Sequence, residues 1–440
     1  MHRSILFLAV LMLAGCAAHL PIDRNDISTT LASRTGHSLA PVKADSTSQL
    51  PAGVLIADGI SEDEAVALAL WNNAQFQADL GELGFARADL IEAGILRNPI
   101  LSLLFPVGPK QFEATLSLPI EILWQRPNRV AAARLDAERV AEQLVLHGLD
   151  LARDAMVAHA DFTLALAHKQ LADENAFLQQ QIADIAGTRL RVGEISELEA
   201  SASQLEAVRA REAAVYRTQE AETARARFAT LLGFEPHDAS LTPVVTAAWQ
   251  PFSASLNELS NAAYASRPDL RAAELAVEAA GKQLGLERAN ILNLTAVLDV
   301  NGSGKEGFEM GPGMQIELPF LNQNNGKTAR AKAQLQQAAQ QYLATKQRIA
   351  LEVTEASSVY RASNQAFELC HTQWAPEAKK AAERAQKAFA VGEVSYLFVL
   401  EINRQLLDAR VREAVAQANV HRAAAQLKRS IGFYAERVEN

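Results

Sequence analysis

The chain has 440 residues, 49% hydrophobic and 21% charged, which is enough apolar side chain for a large core or a long helical assembly. Its net charge of −9 excludes a general affinity for nucleic acid. Beyond the N-terminus no run reaches the roughly 20 apolar residues of a membrane-spanning helix, so any crossing of a membrane falls to strands.

The first element is a targeting signal. His2 and Arg3 precede the apolar run Ile5 to Leu13 and then Ala14-Gly15-Cys16, too short for a span and right for an h-region, so residues 1–15 read as a signal peptide. Leu13-Ala14-Gly15-Cys16 resembles the bacterial lipobox, whose Cys is acylated and becomes the mature N-terminus. That resemblance makes Cys16 the expected lipid attachment site, and Ala17, where an Asp would hold the protein at the inner membrane, favours the outer membrane. The plainer alternative is a secretory signal with an incidental Cys. With Cys16 lipidated, Cys370 is the remaining thiol and no intramolecular disulfide forms. Cys370 lies in a helical stretch and is expected to be a buried small residue. Residues 16–60 are polar and show no clear period, and they read as a lipidated, extended N-terminal arm.

From Ser61 the sequence repeats itself at an offset of roughly 195 to 200 residues, a spacing that suits domain duplication. Ser61-Glu62-Asp63-Glu64 and Ser255-Leu256-Asn257-Glu258 are capping boxes that open each copy. Helical stretches follow, Ala65–Leu96 and Leu259–Ala289. Each then gives way to a pair of strands. In the first copy they are Ile100–Phe105 and Phe112–Leu118, within 99–119; in the second, Leu294–Val300 and Met310–Leu318, within 291–319. Leu118-Pro119 and Leu318-Pro319 mark where strand yields to helix, since Pro cannot donate to a ladder.

Beyond these prolines the helices are very long. From Val130 to Arg191 there is no Pro and only two Gly. At 1.5 Å per residue such a helix reaches roughly 90 Å and calls for a coiled-coil array. Each long run closes at a repeated tip, Arg191-Val192-Gly193-Glu194-Ile195-Ser196 and Ala390-Val391-Gly392-Glu393-Val394-Ser395. Gly takes the left-handed conformation that ends a helix, and Ser is an N-cap for the next. Ser196 has Glu199 for a capping box, whereas Ser395 has Phe398 in that place. The returning helix of copy two repeats apolar residues at Leu397, Leu400, Leu407, Val411, Ala414, Ala418 and Ala425, interrupted by Arg404 and His421. The domains are therefore 61–233, a linker 234–253, 254–433, and a tail 434–440.

Nothing in the chain assembles a catalytic constellation, so an enzyme is not expected. Gly302-Ser303-Gly304-Lys305 is similar to a phosphate loop, but Asp299 and Glu306 occupy places that loop needs for Gly and Ser or Thr. His147, His159 and His168 share a helix at unrelated angles, so no metal site or cofactor is expected.

Helix, strand, strand, long helix, tip and returning helix, written twice behind a lipobox, resemble the TolC-like outer-membrane efflux family. The most specific segments are Gly313-Met314-Gln315-Ile316-Glu317-Leu318-Pro319-Phe320, Asn322-Gln323-Asn324-Asn325-Gly326-Lys327, and the two Val-Gly-Glu tips. Leu116-Ser117-Leu118-Pro119 through Gln125-Arg126-Pro127-Asn128-Arg129 is similar to the metal- and drug-efflux branches. The resemblance implies a mainly α fold with a small β part, assembled as a homotrimer. Each protomer would give its four strands to one shared twelve-stranded outer-membrane β-barrel, continued by a long α-helical periplasmic tunnel. It implies an exit duct that passively exports small molecules or metal ions, with an inner-membrane pump supplying the energy. A periplasmic adaptor (membrane fusion protein) would bind the tips at Val192, Gly193, Glu194, Ser196, Val391, Gly392, Glu393 and Ser395. The acidic rings that narrow the periplasmic entrance in this family direct attention to Glu401, Asp408 and Glu413. Besides the adaptor and pump, the partner implied is outer-membrane lipid. Two other readings stay open, a type I protein secretion channel and a periplasmic coiled-coil scaffold lipoprotein. Paired apolar strands count against the scaffold, which has no use for them.

Overall fold

The computed structural model describes residues 22–41, 50–107, 112–238, 240–244, 252, 254–302, 307–391 and 393–432. Cys16, Gly392, Ser303 to Glu306 and the tail 434–440 lie outside the described residues. In chain order the elements are α1 (Arg24–Thr35), a 3-10 turn (Ile56–Asp58), α2 (Glu62–Asn72), α3 (Ala74–Asp79), α4 (Glu82–Gly94), β1 (Ile100–Leu104) and β2 (Phe112–Pro119). Then come α5 (Ile122–Arg191), α6 (Glu197–Leu231), α7 (Leu256–Ser266), α8 (Pro268–Ala289), β3 (Leu294–Gly302) and β4 (Phe308–Ile316). Last are α9 (Asn325–Leu369), a π turn (Cys370–Trp374), α10 (Ala375–Ala390) and α11 (Tyr396–Ile431). The chain divides into two compact units, one of residues 1–27, 78–146 and 268–348, the other of 28–77, 147–267 and 349–440.

The first unit holds the strands, in one antiparallel sheet ordered β1-β2-β3-β4. The two hairpins, far apart in sequence, join through β2 and β3, where Thr115 stands opposite Asp299 and Pro119 opposite Thr295. Pro119 is the last residue of its strand, where a missing N–H ends the ladder without breaking it. The second copy departs from expectation: β4 ends at Ile316, so Leu318-Pro319 lies beyond the strand. Ala86 and Leu90 of α4 and Ala137 of α5 form a small core, with Leu83, Val130 and Val140 against it. Asn324 explains part of the Asn-rich segment. It takes a left-handed φ of 56°, and its Nδ2 donates to the Glu287 carbonyl at 2.7 Å, closing the end of α8 as α9 begins.

In the second unit the repeat is visible as a contact made twice. Gly233 (φ 77°), after α6, lies so close to the end of α2 that a Cβ there would come within 2.3 Å of the Asn72 carbonyl oxygen. Gly432 (φ 75°), after α11, sits likewise against the end of α7, where a Cβ would come within 2.9 Å of Ser266 Oγ. Side chains then close the open carbonyls. Asn73 Nδ2 donates to Leu231 O at 3.0 Å in copy one, and Ser266 Oγ to Ile431 O at 2.6 Å in copy two. Elsewhere Gly148 of α5 leaves room for Leu31 and Phe76, whose side chains would lie 2.7 and 3.2 Å from a Cβ.

A charge cluster ties four segments of this unit together. Glu352 of α9 accepts from Arg267 Nη1 at 2.5 Å and from Arg429 Nη1 at 2.8 Å. Arg429 of α11 also donates from Nε to Asp150 of α5 at 2.7 Å, and Arg267 Nη1 reaches the Ser430 carbonyl at 3.2 Å. The Arg267 side chain is only 1% exposed.

Three expectations are corrected. The arm is not wholly extended: Arg24–Thr35 is helical, started by Asp23, whose Oδ1 accepts from Asn25 N and Asp26 N while Asp26 Oδ2 accepts from Asp23 N. The helical stretch 65–96 divides into three helices, and the long helix α5, expected from Val130, begins at Ile122 with Pro127 inside it. Cys370 is half-buried rather than buried and opens a π turn, in which Ala375 N donates to Cys370 O. Pro376 supplies the reason, since its ring would press on the Thr372 carbonyl in a regular α-helix and it brings no N–H to the ladder.

Two outcomes follow. Glu352→Ala leaves Arg267 and Arg429 without their shared counter-charge, and thermal unfolding is expected to show a loss of about 3 kcal/mol or more. The exposed pair Arg209–Glu206 should lose under about 1 kcal/mol on the same treatment. His159, buried in α5, donates from Nε2 to Ile60 O at 3.0 Å. Burial holds its imidazole below the ordinary value, against the Ile60 bond and the charge of Glu62, which act the other way. The unfolded chain therefore takes the proton first as pH falls. The stability due to the neutral ring is present above about pH 6.5 and lost below it. His159→Gln should flatten the dependence of the unfolding midpoint on pH between about 6.5 and 5.

Candidate channel strands and helical tips

The sheet sorts its side chains by face. Successive residues of a strand point to opposite sides, and the register carries that alternation across all four strands. One face holds Leu101, Leu103, Phe112, Ala114, Leu116, Leu118, Leu294, Ala296, Leu298, Val300, Phe308, Met310, Pro312, Met314 and Ile316, without a polar side chain among them. The other carries Ser102, Glu113, Thr115, Ser117, Thr295, Asp299, Asn301, Glu309 and Gln315, with Gly311 and Gly313 between, and also the apolar Ile100, Leu104, Pro119 and Val297. On it Thr115 Oγ1 donates to Asp299 Oδ1 at 2.9 Å and Asn301 Nδ2 to Asp299 Oδ2 at 2.7 Å. Its three ionisable residues, Glu113, Asp299 and Glu309, are all acids. On the apolar face Leu101 is 60%, Met310 69% and Met314 60% exposed. Phe105, Phe112 and Phe308 meet where the hairpins turn, with ring centroids 5.7 and 6.4 Å apart.

The tips are built alike. Gly193 has φ 79°, and Glu194 N donates back to Arg189 O at 2.9 Å, the long bond that closes an α-helix through a left-handed residue. Glu393 N makes the same bond to Ala388 O at 2.9 Å. Ser196 caps α6 reciprocally with Glu199, and Ser395 caps α11 by accepting from Phe398 N, without the return bond. Both tips put matching apolar side chains into the open. Val192 and Val391 are 68% and 71% exposed, Leu198 and Leu397 80% and 60%. Leu198 was not singled out from the sequence, because Glu197 and Glu199 flank it. The offset of the repeat, which sets it opposite Leu397, is the signal that finds it.

The candidate entrance acids do not converge on a common point. Glu401 and Asp408, seven residues apart, share a face of α11, while Glu413 lies about 140° further round the helix. Glu401 accepts from Gln405, Asp408 pairs with Arg412 at 3.0 Å, and Glu413 meets His371 Nδ1 at 2.7 Å. His421, one of the residues breaking the apolar repeat of α11, pairs with Glu62 at 2.9 Å.

No helix among the described residues is long and apolar enough to cross a membrane. Residues 259–433 match the family model described as outer membrane efflux protein. The cobalt-zinc-cadmium resistance protein CzcC of Cupriavidus metallidurans is 25% identical over 381 residues, which cover 84% of this chain and 89% of that protein. The fold is shared with the outer-membrane channel OprN, at a TM-score of 0.73 and 18% identity, over 89% of this chain and 96% of that one. It is shared also with the outer membrane protein VceC of Vibrio cholerae, at a TM-score of 0.71 and 17% identity, over 84% and 96% of the two chains. The match to the outer membrane efflux protein family thus lies in the second copy, while over the wider chain the likeness is to CzcC in sequence and to OprN and VceC in fold.

Proposed function

We propose that this protein is the outer-membrane duct of a tripartite efflux system and passively exports metal cations or small molecules. The observation that carries the reading is the sorted sheet. A wholly apolar face suits lipid and a mainly polar face suits a water-filled lumen, the division that a transmembrane barrel requires. Four strands cannot close a barrel, and an open edge in hydrocarbon leaves backbone groups unpaired at several kcal/mol each. Three copies giving twelve strands is the assembly proposed, with the long helices forming its periplasmic tunnel. Cys16 is proposed as the acylated anchor. The inner-membrane pump supplies the energy, and the periplasmic adaptor docks at the tips. Among relatives, CzcC is named for resistance to cobalt, zinc and cadmium, and the acids of the polar face favour the passage of cations.

Two experiments test this. In a planar bilayer the purified protein should conduct with a reversal potential displaced toward cations. Replacing Glu113 and Glu309 by Gln and Asp299 by Asn should bring that potential toward zero. Wild-type channels that prefer anions, or no conductance at all, would refute the lumen assignment. At the tips, Leu198→Glu and Leu397→Glu change exposed side chains only. Both variants should assemble and reach the outer membrane at wild-type level, yet lose crosslinking to the adaptor and at least about tenfold in export, the effect of removing well-buried interface contacts. Export and crosslinking at wild-type rate in the double variant would show that the tips are connectors alone.

A further inference from the structure

Three guanidinium groups crowd one corner of the first unit, where the chain passes from α4 into β1 and from β2 into α5. Arg126 Nε donates to Gly94 O at 2.8 Å. Arg129 donates from Nε to Ala93 O at 2.8 Å and from Nη2 to Ile95 O at 2.9 Å. Both thereby close the last carbonyls of α4, where the helix dipole also favours positive charge. Arg97 stands exposed, four residues before Leu101 begins the apolar face of the sheet. Burial, with the charges of Arg97 and Arg126, holds the Arg129 guanidinium below its ordinary value, while Glu92 acts in the opposite sense. Like charges brought this close repel one another, a repulsion that Glu92 offsets and a bound anion would relieve further.

The surroundings are apolar and open. Ile95 is 56% exposed, Leu96 50%, Leu123 69% and Trp124 36%. Guanidinium forks match phosphate oxygens, aliphatic side chains accept acyl chain, and Trp favours the boundary between headgroup and hydrocarbon. A free anion would use the first of these features only. The second repeat closes α8 differently, through Asn324, and its adjoining segment, Asn322 to Gly326, carries no Arg.

We propose that Arg97, Arg126 and Arg129, with Leu96, Leu123 and Trp124, bind the phosphate headgroup of an anionic phospholipid in the periplasmic leaflet of the outer membrane, one per protomer. The site rests on the reading of the sheet as membrane-spanning. It is tested on the full-length protein in mild detergent, by native mass spectrometry with added phosphatidylglycerol or phosphatidylcholine. Arg97→Glu is the variant of choice because it leaves both α4 caps in place. The wild type should retain phosphatidylglycerol over phosphatidylcholine by about fivefold or more, and Arg97→Glu should abolish the preference. Inorganic phosphate at millimolar concentration should not displace the lipid. Equal retention of the two lipids, an unchanged preference in Arg97→Glu, or displacement by phosphate alone would overturn the site. Density fractionation of cells separates the two ideas. Wild-type protein found outside the outer membrane overturns both, whereas outer-membrane protein without lipid preference overturns the lipid site only.

Discussion

Glu352 is a single carboxylate set between two guanidinium groups, and the second unit is organised around it. Arg267 and Arg429 are almost wholly removed from water, which costs several kcal/mol for each charge unless a partner and further hydrogen bonds stand in for solvent. Glu352 supplies the partner to both, Asp150 adds a second for Arg429, and the Ser430 carbonyl takes another bond from Arg267. The geometry is demanding because it fixes the end of α11 against the end of α7 while holding α5 and α9 at set distances. The close approach of backbone at Gly432 is a consequence, since a charge network this tight leaves no space for a Cβ beside Ser266. Alanine-rich helix faces pack well but pack alike at many registers. A directional charge cluster selects one of them, as directional polar contacts do in other helical assemblies.

The two copies keep the same plan with different chemistry at its joints. Capping boxes start α2 and α7, a left-handed glycine ends α6 and α11, and equivalent backbone bonds close both tips. Where the copies differ, each has found a separate solution to the same physical demand. Open carbonyls after α6 are met by an Asn amide and those after α11 by a Ser hydroxyl and an Arg. The end of α4 is closed by arginines and the end of α8 by an asparagine. Charge has therefore been redistributed between the copies without altering their shape.

The strands, the tips and the capping boxes were legible in the sequence because each depends on residues within a few positions of one another. Alternation in 112–118 and the Leu-Pro endings set the hairpins to within a residue or two of where they lie, apart from the earlier end of β4. The pairing of the two hairpins into one sheet was not legible, since Thr115 and Asp299 are brought together by the fold alone. The same holds for Arg267 and Glu352, which in sequence look like two more charges on solvated helices. The arm helix was missed because its cap is an Asp rather than a Ser, followed at N3 by another Asp, and because twelve residues are too few to establish a period. Among the tip residues, sequence located the backbone turns, while the exposure of Leu198 and Val192 needed coordinates.

The π turn at Cys370–Trp374 has a bearing on how this chain can vary in length. A π turn is an α-helix carrying one residue more than its hydrogen bonds call for, so removing any one of the five would bring the helix back to regular register, with the Pro376 ring then pressed on the carbonyl four residues before it. It would also turn every residue of α10 by about 100° about the helix axis relative to what precedes it. Ala382 and Ala385, now 2% and 4% exposed, would rotate out of contact, and charged neighbours such as Lys379 and Glu383 would rotate in. The surplus residue is thus retained both by Pro376 and by partners eight and more positions away, and a single-residue deletion here is not equivalent to a substitution at the same site. Homologous chains free to lose the turn are those in which the face of the following helix has been rewritten as well.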